Sequence, residues 1–327
     1  MNSMDDKYYL GIDIGGTKCA VIAGRGNMDI IDKISFPTET KKGPCHAINL
    51  LLENAGLMSD KLGLKGLQSI GISCGGPLDS RKGLVQSPPN LPGWDNIPIV
   101  ELFVEKFHVP AYLQNDANAC ALAEWKFGAG KGTENMIFLT FGTGMGAGII
   151  VDGKLYSGTN DLAGEVGHVR LEDDGPEAYG KKGSFEGFCS GTGISMIAKK
   201  IVIEKLKRGE RVSFCQDIEN AGKLTTKDIA DAAFRGDRTA IEIFEFSGKE
   251  LGKGLSVLID ILNPQLIVIG SIYARCSQFL EPACMEVINR ETLKLSRSVC
   301  RVVPAALGEQ VGDFASLSIA ICSDNGK

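Results

Sequence analysis

At 327 residues, 43% of them hydrophobic, the chain is long enough for two domains with separate cores and has the composition of a globular protein. Its 40 acidic and 35 basic side chains give a formal net charge of −5, and no block of like charge is long enough to form a nucleic-acid patch. No apolar run reaches a membrane span, the start from Met1 to Asp6 lacks a signal region, and the ten cysteines, without paired C-x-x-C spacing, read as buried reduced thiols; a cytoplasmic protein is expected.

Strands are expected at Tyr8–Ile14, 19–23 and 30–36, followed by a helix at 44–57 and a strand at 67–73. The turn between the first two strands reads Gly15-Gly16-Thr17-Lys18. Glycine lets main-chain N–H groups approach an anion closely, and successive N–H groups form a concave nest for phosphate oxygens. Asp13, just ahead of the turn, could hold Mg²⁺ through its water shell. The spacing is not that of a P-loop, and an ordinary glycine hairpin is the alternative.

A helix at Ile99–Phe107 and a strand at 109–114 lead into Gln114-Asn115-Asp116-Ala117-Asn118, where strand gives way to helix. The Asp116-x-Asn118 pair there could be no more than a helix N-cap. The carboxyl end of a strand is also where α/β proteins place ligand-binding groups, and Asp116 in that position could take a proton from an alcohol. Alternating strands and helices give a mixed sheet flanked by helices, and the β-branched strands point to burial on both faces.

After a strand at 135–140 the glycine-threonine turn recurs as Thr140-Phe-Gly142-Thr143-Gly144-Met-Gly-Ala147-Gly148, with a strand at Ala147–Val151 behind it. Two such hairpins in one chain point to a nucleotide held between two related lobes. The segment from Gly142 to Ala147 also satisfies the dinucleotide pattern G-x-G-x-x-A, but that pattern needs a helix to follow, whereas a β-branched strand and the Asp152-Gly153 turn predict a hairpin.

Next come Gly164-Glu165-Val-Gly-His168, a polar loop at 172–183, and Glu186. Histidine, glutamate and carboxamide could grip sugar hydroxyls with paired donors and acceptors. A metal site is the rival reading, although the other histidines are His46 and His108 and the only close thiol is Cys189. Helices are expected at 190–207, after a capping box at Thr225-Thr-Lys-Asp228, and at 240–262, where Phe244, Gly248, Leu251, Leu255, Leu258 and Leu262 share a face until Pro264 stops it. Strands at Leu266–Ile269 and 301–305 and an apolar helix at 309–322, expected to pack on the first domain, complete the chain.

Several of these motifs, in this order, resemble the ROK family of sugar kinases and sugar-responsive repressors, within the actin-like ATPase superfamily. The resemblance spans nearly the whole chain: the segment from Gly11 to Lys18, Gly75-Gly76-Pro-Leu-Asp79, Pro92-Gly-Trp-Asp-Asn-Ile-Pro98, Asn115-Asp116-Ala-Asn118, Thr140 to Gly148, Gly164 to His168, Ser190-Gly191-Thr192, and Leu262 to Gly270. It implies an α/β fold of two actin-like, ribonuclease H-like lobes, each a mixed sheet flanked by helices, with the active-site cleft between them. The first lobe would be 1–116, completed by the C-terminal helix 308–327, and the second 117–307.

The resemblance further implies a glucokinase-like, ATP-dependent hexose kinase acting on the 6-hydroxyl, usually a homodimer. It makes Asp116 the catalytic base and assigns hexose hydroxyls to Asn115, Glu165, His168 and Glu186, with the Gly75 and Gly76 backbone nearby. Gly15, Gly16, Thr17, Lys18, Gly142, Thr143 and Gly144 would surround the ATP phosphates, Gly191, Thr192 and Gly270 would border the adenosine, and Asp13 would hold Mg²⁺ through water.

One departure is substantial. The family usually carries a structural zinc motif, C-x-C-G-x-x-G-C-x-E, whose thiolates join the histidine of G-E-x-G-H. This chain reads Glu177-Ala-Tyr179-Gly-Lys-Lys-Gly-Ser184-Phe-Glu186, so no zinc site is expected. A smaller departure is Ser271, where the family often has glycine. An N-acetylglucosamine or N-acetylmannosamine kinase is the alternative substrate reading. A sugar-sensing regulator is a competing class, although the first glycine motif starts at Gly11 and leaves no room ahead of it for a winged helix-turn-helix. A catalytically silent sugar-binding scaffold is a third, against which the retained Asp13 and Asp116 speak.

Overall fold

The computed structural model describes residues 7–324; Met1 to Asp6 and the expected last residues of the terminal helix, 325–327, lie outside the described residues. In chain order the first elements are β1 (Tyr8–Ile14), β2 (Lys18–Gly24), β3 (Ile30–Pro37), α1 (Pro44–Leu62), β4 (Leu67–Cys74), β5 (Leu78–Asp79), β6 (Leu84–Val85), α2 (Ile99–Phe107), β7 (Ala111–Asn115) and α3 (Asp116–Phe127). There follow β8 (Met136–Leu139), β9 (Ala147–Val151), β10 (Lys154–Leu155), β11 (Glu177–Ala178), β12 (Lys181–Lys182), α4 (Phe185–Phe188), α5 (Gly191–Lys207), α6 (Ile218–Ala221), α7 (Thr226–Phe234) and α8 (Arg238–Leu262). The chain closes with β13 (Leu266–Ile269), α9 (Ile272–Glu291), α10 (Lys294–Val299), β14 (Arg301–Pro304) and α11 (Val311–Asp324). It divides into two compact units, one of residues 1–132, 148–163 and 306–327, the other of 133–147 and 164–305.

One five-stranded sheet has the order β3-β2-β1-β4-β7, with β1 antiparallel to β2 and parallel to β4, and β4 parallel to β7. Strict alternation along β1 decides which layer each side chain joins. Tyr8, Leu10, Ile12 and Ile14 enter a core with residues of α1 and α2, while Tyr9 joins Leu317, Ala320 and Ile321 of α11 on the other face. Helix α11 lies so close to β1 and β4 that a Cβ at Gly11 or Gly71 would run into Ser316. Burial on both faces accounts for the apolar reading of these strands.

The other five-stranded sheet has the order β10-β9-β8-β13-β14, with β13 parallel to β8 and to β14. Its largest core cluster joins Ile137, Leu139, Ile267 and Ile269 to Phe244, Leu251 and Leu255 of α8 and to Tyr273 and Leu280 of α9. Gly252 of α8 packs on Cys284 of α9, where a Cβ would lie 2.6 Å from the Cys284 carbonyl oxygen. Asn263 ends α8 in a left-handed conformation just before Pro264.

Several expectations need correction. Helix α1 runs five residues past the expected end, to Leu62. The whole of α9 is absent from the expected elements, because Pro282 interrupts its pattern; α9 tolerates that proline inside the helix and bends at Cys276 instead. The polar loop at 172–183 contains the small β11–β12 hairpin. Among the cysteines Cys45 is exposed and Cys120, Cys300 and Cys322 are half-buried; the other six are buried thiols, and all are free. Among the described residues no helix is long and apolar enough to cross a membrane.

Candidate functional site

In the first unit, parallel pairing brings three chain segments to the same edge. Ile14 of β1 is level with Cys74 of β4, and Cys74 with Asn115 of β7. The first glycine turn, Gly75-Gly76 and Asn115-Asp116 therefore leave the sheet side by side. This is the strand-end position at which open α/β sheets present ligand-binding groups.

The first turn is a tight hairpin in which the Gly15 N–H donates to the Lys18 carbonyl at 3.1 Å. Thr38, a buried residue just past β3, clamps it twice: its hydroxyl donates to the Gly15 carbonyl at 2.5 Å and its N–H to the Thr17 carbonyl at 3.0 Å. Asn90 flanks the turn. A Cβ at Gly16 would lie 2.6 Å from the Asn90 carbonyl oxygen, and one at Gly75 would lie 3.6 Å from its side-chain Oδ1. Buried Leu91 and Trp94 anchor the loop that holds Asn90 out, with the Ser87 N–H donating to the Trp94 carbonyl at 2.8 Å. Neither Thr38 nor Asn90 was singled out from the sequence; the Asn-Leu-Pro-Gly-Trp run was the one available signal for Asn90.

Asn115 is the N-cap of α3, its Oδ1 accepting from the N–H groups of Ala117 at 2.8 Å and Asn118 at 3.2 Å. The cap expected of the Asp116-x-Asn118 pair falls instead to Asn115, and Asp116 is the first helical residue. Asp116 accepts from the local Ala117 N–H at 2.8 Å and is exposed. Protein packed around it still desolvates the carboxylate and raises its pKa, against the lowering effect of the Ala117 N–H and its own.

Asp13 sits on β1 between Ala20 of β2 and Ser73 of β4. Its pKa is raised to about 6, first by burial, then by the charges of Asp313 and Asp116, with Lys18 and Lys33 opposing. Such a surplus of negative charge is what a divalent cation relieves. Among the described residues no three His, Cys, Asp or Glu side chains converge to hold a metal directly.

In the second unit the same device recurs. Leu139 of β8 is level with Ile269 of β13, so the second glycine turn and Gly270 emerge together. The Gly142 N–H donates to the Gly144 carbonyl at 3.1 Å, the Gly191 N–H donates to the Gly142 carbonyl at 2.7 Å, and the Thr192 hydroxyl donates to the Thr143 carbonyl at 3.2 Å. The turn thus rests on the N-terminus of α5, a 17-residue helix capped by Ser190, whose aligned dipoles favour an anion there. A Cβ at Gly142 would lie 3.8 Å from the hydroxyl of Ser271, which precedes α9 with φ 53° and ψ −114°. β9 and β10 follow the turn as a hairpin closed by Asp152 and Gly153, both with positive φ, so no dinucleotide-binding helix is present.

Glu165, His168 and Glu186 all attach to the segment behind this turn. The Ala147 N–H donates to the Gly164 carbonyl at 2.9 Å, and a Cβ at Gly167 would lie 2.5 Å from the Met145 carbonyl oxygen. The Glu186 Oε2 accepts from the Met145 N–H at 2.8 Å. Glu165 and His168 stand exposed at the ends of a short 3₁₀ turn.

The positions where the family places zinc thiolates carry Glu177, Tyr179 and Ser184 in this chain. Ser184 is committed as the N-cap of α4, accepting from the Gly187 N–H at 3.1 Å, and Tyr179 and Glu177 are exposed on the hairpin. These donors do not fit a tetrahedral zinc ion.

The ROK family model matches residues 9–321. The glucokinase of Halalkalibacterium halodurans is 34% identical over 278 residues, covering 82% of this chain and 81% of that protein. The N-acetylglucosamine repressor of Escherichia coli is 32% identical over 261 residues, covering 79% of this chain and 62% of the repressor. Among solved structures, a ROK family glucokinase from Streptomyces griseus in complex with glucose and AMPPNP superposes with a TM-score of 0.75 at 25% identity, covering 96% and 99% of the two chains. The mixed α/β fold of two helix-flanked sheets is that of these relatives, and the chain belongs to the ROK family.

Proposed function

We propose that the protein is an ATP-dependent hexose kinase that transfers the γ-phosphate to the 6-hydroxyl of glucose or a close relative. The observation that carries this reading is Asp116: a carboxylate of raised pKa, with local backbone partners, on the same sheet edge as the first glycine turn. In the proposed reaction Asp116 orients the hydroxyl and accepts its proton as the P–O bond forms. Asn115, Glu165, His168 and Glu186 hold the other hydroxyls, with the Gly75 and Gly76 backbone beside them.

Phosphoryl transfer asks a protein mainly for positioning and charge stabilisation. Gly15, Gly16, Thr17 and Lys18 and Gly142, Thr143 and Gly144 surround the phosphates, and Gly191, Thr192 and Gly270 border the adenosine. Mg²⁺, when bound, neutralises the phosphate charge; Asp13 would hold it through water. The enzyme would work in the cytoplasm as a homodimer, without a nucleic-acid partner.

The test is ADP release with Mg·ATP against a panel of hexoses and N-acetylhexosamines, with Asp116→Asn alongside. Sugar-dependent turnover that falls on the order of 10² to 10⁴-fold in the variant, with sugar affinity much less affected, supports the reading. Unchanged turnover in Asp116→Asn removes that residue from the mechanism. Turnover only with N-acetylglucosamine or N-acetylmannosamine favours the alternative substrate. The likeness to the N-acetylglucosamine repressor favours a second reading, a sugar-sensing protein, which sugar binding without any turnover would support.

A further inference from the structure

The segment that carries zinc ligands in relatives is a two-stranded hairpin, with Glu177 paired to Lys182 and Ala178 to Lys181. Tyr179 and Gly180 close it with φ of 49° and 68°, the two consecutive left-handed residues of a type I′ turn. Glycine suits such a site, whereas a tyrosine there is a strained choice. Burial does not compensate for the strain, because Tyr179 is 72% exposed.

The ring instead lies against the imidazole of His168, with centroids 5.2 Å apart and planes at 43°. The neighbouring Lys181 Nζ donates to the His168 carbonyl at 2.6 Å. The return strand and the start of α4 hold the residues after His168: Arg170 Nη1 donates to the Lys182 carbonyl at 2.8 Å, and the Phe185 N–H donates to the Val169 carbonyl at 2.8 Å. The histidine is therefore held at its ring and at its carbonyl from the hairpin, and the residues behind it are held by the hairpin and by the start of α4.

We propose that Tyr179 is a positioning residue that orients His168 toward the sugar in place of a bound metal, with Lys181 fixing the backbone beneath it. An aromatic face can restrain an imidazole plane as a metal–nitrogen bond would, but more loosely and without demanding a deprotonated ring nitrogen. This rests on the reading that His168 binds the sugar.

The chain has three histidines, so the His168 imidazole resonance can be assigned by its loss in His168→Gln and followed by NMR. Tyr179→Phe is expected to keep that resonance and the sugar KM. Tyr179→Ala is expected to move the resonance and to raise the sugar KM roughly five- to twentyfold, with kcat and the ATP KM nearly unchanged. Lys181→Met is expected to act in the same direction, and the purified wild type to keep the same His168 resonance after chelation.

An unmoved His168 resonance in Tyr179→Ala overturns the inference, as does an equal rise in the sugar and ATP KM values. Stoichiometric zinc whose removal shifts the His168 resonance also overturns it. If the wild type neither binds nor phosphorylates any sugar, the kinase reading fails, and the resonance and metal measurements still decide whether the hairpin orients His168.

Discussion

The Thr38 hydroxyl donates to the Gly15 carbonyl at 2.5 Å, so a residue 23 positions downstream fixes the first glycine turn. The Thr38 N–H also donates to the Thr17 carbonyl, leaving the side chain responsible for one of two clamps. Thr38→Val keeps the shape and removes the hydroxyl. It is expected to cost about 1 kcal/mol of stability and to raise the ATP KM several-fold, with the sugar KM little changed. Chemical denaturation together with separate titrations of the two substrates checks both parts.

Asp13 makes stability depend on pH. Its folded pKa of about 6 lies above the ordinary carboxylate value because burial and the charges of Asp313 and Asp116 disfavour ionisation. Its contribution is therefore favourable at low pH and is lost as pH rises through about 6. Asp13→Asn removes the penalty: thermal melts should show the variant more stable than wild type at pH 8, by about 3 kcal/mol, and nearly equal to it at pH 4. Activity should fall in the same variant.

Ser271 occupies φ 53° and ψ −114°, a region costly for any residue with a Cβ. Its side chain does not cap α9, so the strain has no compensating helix cap. Ser271→Gly is expected to stabilise the protein by roughly 1 kcal/mol, since strain relief of about 1–3 kcal/mol exceeds the added freedom of the unfolded chain. An upward shift in melting temperature checks this.

Glu124 is fully buried, and its carboxylate accepts from the Ala129 N–H and the Leu307 N–H, each at 2.8 Å. It joins the segment leaving α3 to the segment approaching α11. Glu124→Ala strands two half-buried N–H groups and should cost about 2–4 kcal/mol, whereas Glu124→Gln, which keeps one acceptor oxygen, should cost about half as much. Urea denaturation of both variants measures the difference.

What was legible in the sequence were features carried by neighbours along the chain. Helix α2 over Ile99–Phe107, the Thr225–Asp228 capping box and the Asp152-Gly153 hairpin turn each follow from residues within a few positions of one another. The two glycine turns stood out because each lies between apolar strands. Thr38 and Asn90 did not, because their partners are set by the tertiary path of β3 and of the loop anchored by Trp94, which no local spacing encodes. The β11–β12 hairpin was hidden for another reason. Its strands are two residues long, its Tyr-Gly turn is uncommon, and the two lysines on the return strand read as solvated loop.

The level alignment of Ile14, Cys74 and Asn115 makes the strand ladder a ruler for the chemistry. Sliding β4 by one residue would displace Gly75 and Gly76 by about 3.3 Å relative to Asp116 and would turn every β4 side chain to the opposite face. Inserting or deleting one residue within β4 should thus harm the protein more than most point substitutions among its site residues. A single residue added in the exposed turn at Lys65, ahead of β4, leaves the ladder count untouched and is the tolerated counterpart.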